Sequence, residues 1–439
     1  MRGREATMLK MISSIRQTPS PQGAVAASAH IGQGSAMERA VTGSPPGPKV
    51  KVAHIATLDI SLRYLLKNQM VSLVAAGYEV TGISAPGEHT GALVEAGIEH
   101  VAVPMTRRVT PAQDLVALFR LWQVMRREQF TIVHTHTPKP ALLGQLAARL
   151  AGVPIVVNTL HGLTFRDGTP PVKKQLLVWL DKACAAMSHF ILSQNPDDIE
   201  TFVREGIAPR EKLRFLGNGI DVRRFDAKRI PAETTARLRA EFGIEPGQKV
   251  VGFVGRMVVE KGILELVAAM EEVARRVPGV RLLVIGPDEG ERSDAIGKGD
   301  VRFDPVRPFA VFTGLRDDMP EMLSLMDLFV LPSHREGFPR SPMEAASMGR
   351  PVIVTDITGC RETVKNGETG WMFPAKDAGA LAARILEVLE DPERARAMGA
   401  AGRALAEERF DEQIVFRIVA DTYRELLEKK GIGAPGRKS

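Results

Sequence analysis

The feature that most constrains this chain is a pattern of strands and helices that starts twice. KVAHIATL (51–58) reads as a strand and LRYLLKNQMVSLVAAG (62–77) as a helix ended by Gly77. YEVTGIS, HVAVP, FTIVHTH, PIVVNTL, HFILS and LRFLG follow as strands, most of them separated by helices. At Lys249 the pattern restarts with KVVGFVG, then RLLVIG, VFTG, LFVLPS, PVIVT and GWMF. Short apolar β runs alternating with helices specify a parallel sheet covered on both faces. The expected fold class is therefore α/β, with two Rossmann-like doubly wound domains over 49–228 and 229–408 facing a central cleft. Ligands of such sheets bind at the carboxyl edges of the strands. A last amphipathic helix, within 409–430, has no strand after it to cover and is expected to cross to the first domain.

At 439 residues the chain is too long for one ordinary core, in agreement with that division. The formal charge of +6 is local. Residues 1–49 carry a net +4 and residues 429–439 another +4, which leaves the body near −2 and gives no reason to expect nucleic-acid binding. Residues 1–48, rich in Ser, Gly, Ala and Pro, and the tail 431–439 are expected to be disordered. The N-terminal stretch lacks the apolar run of a signal peptide, and Met37 offers a second start. Cys184 and Cys360 stand in no metal or redox spacing, as suits a reduced, cytoplasmic protein. No segment reaches the ~20 consecutive apolar residues of a membrane span. Neither half carries GxGxxG after its first strand, which argues against a dinucleotide-dependent oxidoreductase.

The chemistry concentrates in HREGFPRSPMEAASMGRP, 334–351, where Glu336 and Glu344 stand eight positions apart around a turn. Ser341, Pro342 and Glu344 fit a capping box, the ordinary reading of Glu344. The same geometry leaves backbone N–H groups around Arg340 to Met343 facing outward, where a diphosphate would bind. An acid beside such a site then suits hydroxyls: Glu344 a ribose diol, Glu336 a sugar. The cations this needs stand in FVGRMVVEKG (253–262): Arg256 and Lys261 flank the turn after the second domain's first strand. Two solvated surface cations are the plainer alternative. His134 and His136 lie two apart at a strand end, without a visible third metal ligand.

G-R-x-x-x-E-K-G followed about 75 residues later by E-G-F-x-x-x-x-x-E resembles family 4 of the retaining glycosyltransferases, which have the GT-B fold. The resemblance runs over about 50–428 and includes HTHTPKPALLG (134–144), TLHGLTF (159–165), GNGID (217–221), VIGPDEG (284–290), FTG (312–314) and NGETGWMF (366–373). It is nearest to bacterial enzymes that build capsule, exopolysaccharide or O-antigen units on a lipid carrier. The resemblance implies that Arg256 and Lys261 hold the donor diphosphate, Glu344 the ribose and Glu336 the donor sugar, with His161 facing that sugar. It implies donor contacts from Gly255, from the backbone of Gly337, Phe338, Pro339, Arg340 and Ser341, and from the base-reading loop at Gly314, Leu315 and Arg316.

A UDP-sugar is the favoured donor, with GDP-mannose or a nucleotide-sugar epimerase as alternatives. No Asp-x-Asp occurs, which suits a metal-independent enzyme with no cofactor. Many relatives carry Gly-Gly after the first strand where this chain reads ATLDISLR, so a phosphate contact there is in doubt. His136, Lys139, Lys173 and Lys174 are acceptor-side candidates for a polyprenyl diphosphate-linked saccharide. The helices at 112–128 and 172–187, with Arg120, Trp122, Leu176 and Trp179, suit either a solvated core helix or peripheral contact with the inner membrane face.

Overall fold

In a computed structural model the described residues are 49–165, 168–287 and 294–435. The expected N-terminal extension 1–48, the end of VIGPDEG and residues 436–439 lie outside them.

Every segment read as a strand forms one. The first sheet comprises β1 (Lys51–Leu58), β2 (Glu79–Ala85), β3 (Glu99–Ala102), β4 (Ile132–His136), β5 (Ile155–Leu160), β6 (Phe190–Ser193) and β7 (Leu213–Phe215), in the order β3-β2-β1-β4-β5-β6-β7. The second comprises β8 (Val250–Val254), β9 (Arg281–Ile285), β10 (Ala310–Gly314), β11 (Leu328–Leu331), β12 (Val352–Thr355) and β13 (Gly370–Phe373), in the order β10-β9-β8-β11-β12-β13. All pairings are parallel. Strand order reverses beside β1 in one sheet and beside β8 in the other, and that reversal opens a crevice at the carboxyl ends.

The apolar runs are explained by burial on two faces. In β1, Val52 and Ala56 join a core with Leu66 and Met70, while Ala53 and Ile55 join another with Ala117, Leu121 and Ala147. The helix read at 62–77 begins earlier, with a short turn at Asp59–Ser61 and a π turn at Leu62–Leu66, before the α-helix Lys67–Ala75. Such π turns recur at functional sites.

The last helix, Glu412–Lys429, packs on the first sheet. Val415, Phe416, Val419, Tyr423, Leu426 and Leu427 complete the core around Val52 and Met70. Two passages connect the lobes, and they lie side by side: Ile220 N–H donates to Phe410 O at 2.8 Å, and Glu412 N–H to Ile220 O at 2.9 Å.

Candidate active site

The facing carboxyl edges enclose a cleft of about 870 Å³. Gly255, Arg256, Leu315, Glu336, Gly337, Phe338, Arg340 and Glu344 line it from the second lobe, His136 and His161 from the first. Two regions far apart in sequence thus meet as the spacing predicts.

Lys261 reaches the site through Glu336, its Nζ standing 2.5 Å from Oε1, with side chains 17% and 9% exposed. The loop that carries it can form only with glycine next: Gly262 has φ +69, and a Cβ there would lie 1.9 Å from Pro332 O. A partly desolvated pair of this kind balances its charge while the cleft is empty, and leaves a cation poised for an anion.

The helix after Glu336 runs Arg340–Ser347 and starts two residues earlier than a capping box on Ser341 would place it. Pro339 is the N-cap, with no side-chain cap, so Ser341 does not cap and Glu344 is not the reciprocal partner. Pro342 fits either register, because the first turn requires no N–H of it. Glu344 is therefore available to the cleft. Its side chain is 14% exposed, with Arg340 Nε at 3.8 Å. Burial raises its carboxyl above the ordinary glutamate range, with Arg340 and Arg224 pulling the other way. Pro339, Ser341 and Gly314 stay outside the cleft lining. Arg316 lines the cleft but is held bidentately by Asp318 at 2.7 and 2.5 Å, which leaves Leu315, 58% exposed, as the open side chain of that loop.

On the facing wall, His161 is half-buried and ends a chain of four histidines whose other three members are buried. One proton assignment satisfies every nitrogen. Thr159 Oγ1 donates to His134 Nε2 (2.7 Å) and His134 Nδ1 to the Tyr423 hydroxyl (2.7 Å). Tyr423 donates to His54 Nε2 (3.4 Å), His54 Nδ1 to His136 Nε2 (3.0 Å), His136 Nδ1 to His161 Nε2 (3.2 Å) and His161 Nδ1 to Gln194 Oε1 (3.1 Å). Burial keeps all four neutral: it pushes His54 down to about 3 and His161 to about 4, and holds His134 and His136 well below the usual range. His54 is the third imidazole the sequence did not show, since ligand atoms of His54, His134 and His136 lie within 4.8 Å of one another. The hydrogen-bond chain already accounts for all six of their nitrogens.

Other acceptor-side candidates are redistributed. His136 lines the cleft, while its strand neighbour His134 is fully buried in the sheet and does not. Lys139 is turned away from the cleft: its Nζ meets Asp114 Oδ1 at 2.5 Å and Arg108 O at 2.5 Å, which pins the loop before helix Pro111–Glu128. Lys173 is exposed on helix Pro171–Met187, and Lys174 pairs with Glu205 at 2.8 Å.

The structure adds residues the sequence reading missed. Where Gly-Gly was absent, the π turn brings Arg63 and Tyr64 into the cleft, joined by Asn68, Gln194 and Arg224. Asp59, at the head of that segment, accepts from Ile60 N–H and His89 N–H at 2.8 Å each and fixes its entry. The signal available was an arginine five residues past a strand end in a segment without glycine.

A family model described as "Glycosyl transferases group 1" matches residues 234–405, and one described as "Glycosyl transferase 4-like domain" matches 64–219. The chain is 29% identical to a capsular polysaccharide biosynthesis glycosyltransferase, CapM, of Staphylococcus aureus, over 86% of this chain and 98% of that one. It is 26% identical to the UDP-Gal:alpha-D-GlcNAc-diphosphoundecaprenol alpha-1,3-galactosyltransferase of Escherichia coli, over 78% and 89%. The crystal structure of Anabaena Alr3699/HepE in complex with UDP-glucose superposes with a TM-score of 0.73 at 19% identity, over 85% of this chain and 99% of that one. The fold is that of the GT-B glycosyltransferases, two Rossmann-like domains across a cleft.

Proposed function

The chain belongs to the group 1 glycosyltransferases, and we propose that it moves a sugar from a UDP-sugar to a polyprenyl diphosphate-linked saccharide in surface polysaccharide synthesis, with retention at the anomeric carbon. The observation that carries this reading is the Lys261–Glu336 pair ahead of the helix Arg340–Ser347, whose Arg340 and Glu344 line the same cleft as Glu336. In this reading the donor diphosphate lies between Arg256, Lys261 and that helix end, the ribose diol on Glu344 and the base over Leu315. Glu336, released from Lys261 by the incoming phosphates, accepts from a hydroxyl of the sugar.

The anomeric C–O bond breaks as positive charge develops on the sugar and negative charge on the leaving diphosphate. Fixed cations and backbone dipoles aimed at that oxygen supply the main stabilisation. The acceptor oxygen bonds to the same face of the anomeric carbon, and its proton passes to the departing phosphate oxygen, so atoms and charge balance without a separate base. His161, neutral with both nitrogens engaged, borders the sugar as a rigid wall. With side-chain cations on the diphosphate, we propose that the reaction needs no divalent ion.

Release of nucleoside diphosphate and transferred sugar would be followed across a panel of UDP- and GDP-sugars, with undecaprenyl diphosphate-linked monosaccharides as acceptors and EDTA present. One UDP-sugar consumed with retained configuration is the expected result. Turnover of GDP-mannose alone, an inverted product, or loss of activity in EDTA would each remove the corresponding part of the reading. Interconversion of the donor without transfer would favour an epimerase.

The acceptor's lipid also points to a membrane surface. Helices Pro111–Glu128, Pro138–Ala151 and Pro171–Met187 form one layer on the first sheet. Leu115, Val116 and Phe119 on the first of these and Leu176 and Trp179 on the last are exposed by 51–67%, among exposed Arg120, Arg126 and Lys173. Apolar side chains bordered by cations suit an anionic leaflet. No helix among the described residues is long and apolar enough to cross a membrane.

A further inference from the structure

His161, Glu336 and Gly337 border the cleft and also a second cavity of about 250 Å³ beside it. Asp198, Thr201 and Lys174 line its first-lobe side, and Thr358 its second-lobe side. Asp198 lies in the first turn of helix Pro196–Arg204 and is 4% exposed. Its Oδ2 is buried without a hydrogen-bond partner among the described residues. The neighbouring donors are engaged elsewhere: Lys174 Nζ holds Glu205 at 2.8 Å, and Arg335 Nη2 donates to Leu163 O at 2.7 Å. An unsatisfied buried polar atom costs about 1–3 kcal/mol, so one kept at the edge of a substrate cleft needs an explanation, and a ligand that completes it is one.

The order of groups along the cleft says which ligand. In the reading above Leu315 marks the nucleoside end, Arg256 and Lys261 the diphosphate and Glu336 the donor sugar, and the second cavity shares His161, Glu336 and Gly337 with the cleft, at the donor-sugar end. It is too small for a nucleotide and of the scale of one hexose ring. Phe165, 4% exposed with Lys174 Nζ 5.6 Å from its ring centroid, and Leu163 give it part of an apolar lining. We propose that this cavity is the acceptor subsite, taking the terminal sugar of the acceptor with one of its hydroxyls donating to Asp198 Oδ2. The assignment rests on the glycosyltransferase reading above. Burial and the neighbouring Asp197 push the Asp198 carboxyl up to about 7 against the pull of Arg335, and Oδ2 accepts a hydroxyl hydrogen as the carboxylate. Asp198 is a positioning residue here, since it touches the acceptor away from the reacting oxygen.

The test compares wild type, Asp198→Asn and Thr358→Leu, the last narrowing the cavity from an exposed position and leaving the helix intact. Initial rates would be taken against the preferred nucleotide sugar and against undecaprenyl diphosphate-linked N-acetylglucosamine, galactose and glucose, after thermal melts show each variant folded. The expected result is an acceptor KM raised about tenfold in both variants, with donor KM within twofold of wild type. If wild type transfers but acceptor KM is unchanged in both variants, or donor KM rises equally, the subsite is wrong and the function stands. If wild type transfers to none of the three acceptors, the functional reading falls and the subsite with it.

Discussion

At the scale of single residues, Lys261 and Glu336 carry most of the argument. They are 75 positions apart and held at 2.5 Å, so each balances the other's charge until a donor arrives. Lys261→Ala should lower kcat by about 10²–10³-fold, the usual effect of removing one preorganised donor to a developing oxyanion. It also leaves Glu336, 9% exposed, without its partner, so a lower melting temperature is expected as well. Steady-state rates and a thermal melt would check both. A variant that loses donor affinity and no turnover would make Lys261 a binding residue only. These residues could be read from sequence because Lys261 flanks the turn after the second domain's first strand, and because E-K-G and E-G-F stand about 75 residues apart as in the family the chain resembles. His54 could not: a histidine inside an apolar strand gives no local sign that His134, His136 and Tyr423 will surround it. Asp198 was likewise hidden, because NPDD reads as an Asn N-cap, and Asn195 does cap the helix through Asp197 N–H.

At the scale of elements, strands were legible and helix ends were not. A strand buried on both faces leaves a short, mostly apolar run bounded by turn residues, as β1 and β8 show. Helix starts depend on hydrogen bonds the sequence offers in more than one register, and Pro342 allowed two. Helices Pro111–Glu128 and Pro171–Met187 show a further ambiguity: amphipathic spacing says which face is buried, and leaves open what the other face meets. If that face meets lipid, Trp179→Glu with Phe119→Glu should cut binding to vesicles containing anionic lipid by about tenfold and leave the fold intact. Co-sedimentation with anionic and neutral vesicles would decide this. Equal recovery of wild type and variant with the membranes would return those residues to ordinary solvated surface.

For the whole molecule, the buried histidines set the response to acid. Folded, His54 and His161 protonate only near 3 and 4; unfolded, they protonate near 6.5. Between those values the unfolded chain holds protons the native one refuses, so stability is full above pH 6.5 and falls as pH drops toward 4. His134 and His136 act in the same direction. Asp181, raised by burial to about 6, and Asp198, raised to about 7, act the other way, since they gain stability on protonation between about pH 7 and 4. His189, lowered to about 4, and His100 join the histidines, while Glu344 and Glu412, raised by burial, join the carboxyls. Six histidines against four carboxyls predict a net loss, at up to about 1.4 kcal/mol per pH unit for each fully shifted group. Melting temperatures measured from pH 7.5 to 4.5 should fall, most steeply below 6. A flat profile would mean that the imidazoles are not sealed from water as described.

The paired passage at Ile220 and Phe410–Glu412 has a mechanical consequence. Two covalent links that cross side by side and are bonded to each other act like the spine of a book, allowing the covers to swing while resisting slip along the spine. Phe338 shares one apolar cluster with Ile220 and Phe410 on the two links, and Asn218 Nδ2 donates to its carbonyl oxygen at 2.8 Å. The residue before it, Gly337, approaches His161 so closely that a Cβ on it would lie 2.3 Å from the His161 carbonyl oxygen. Glu336 and the two cavities it borders therefore sit close to the spine, where a swing of the covers moves them least.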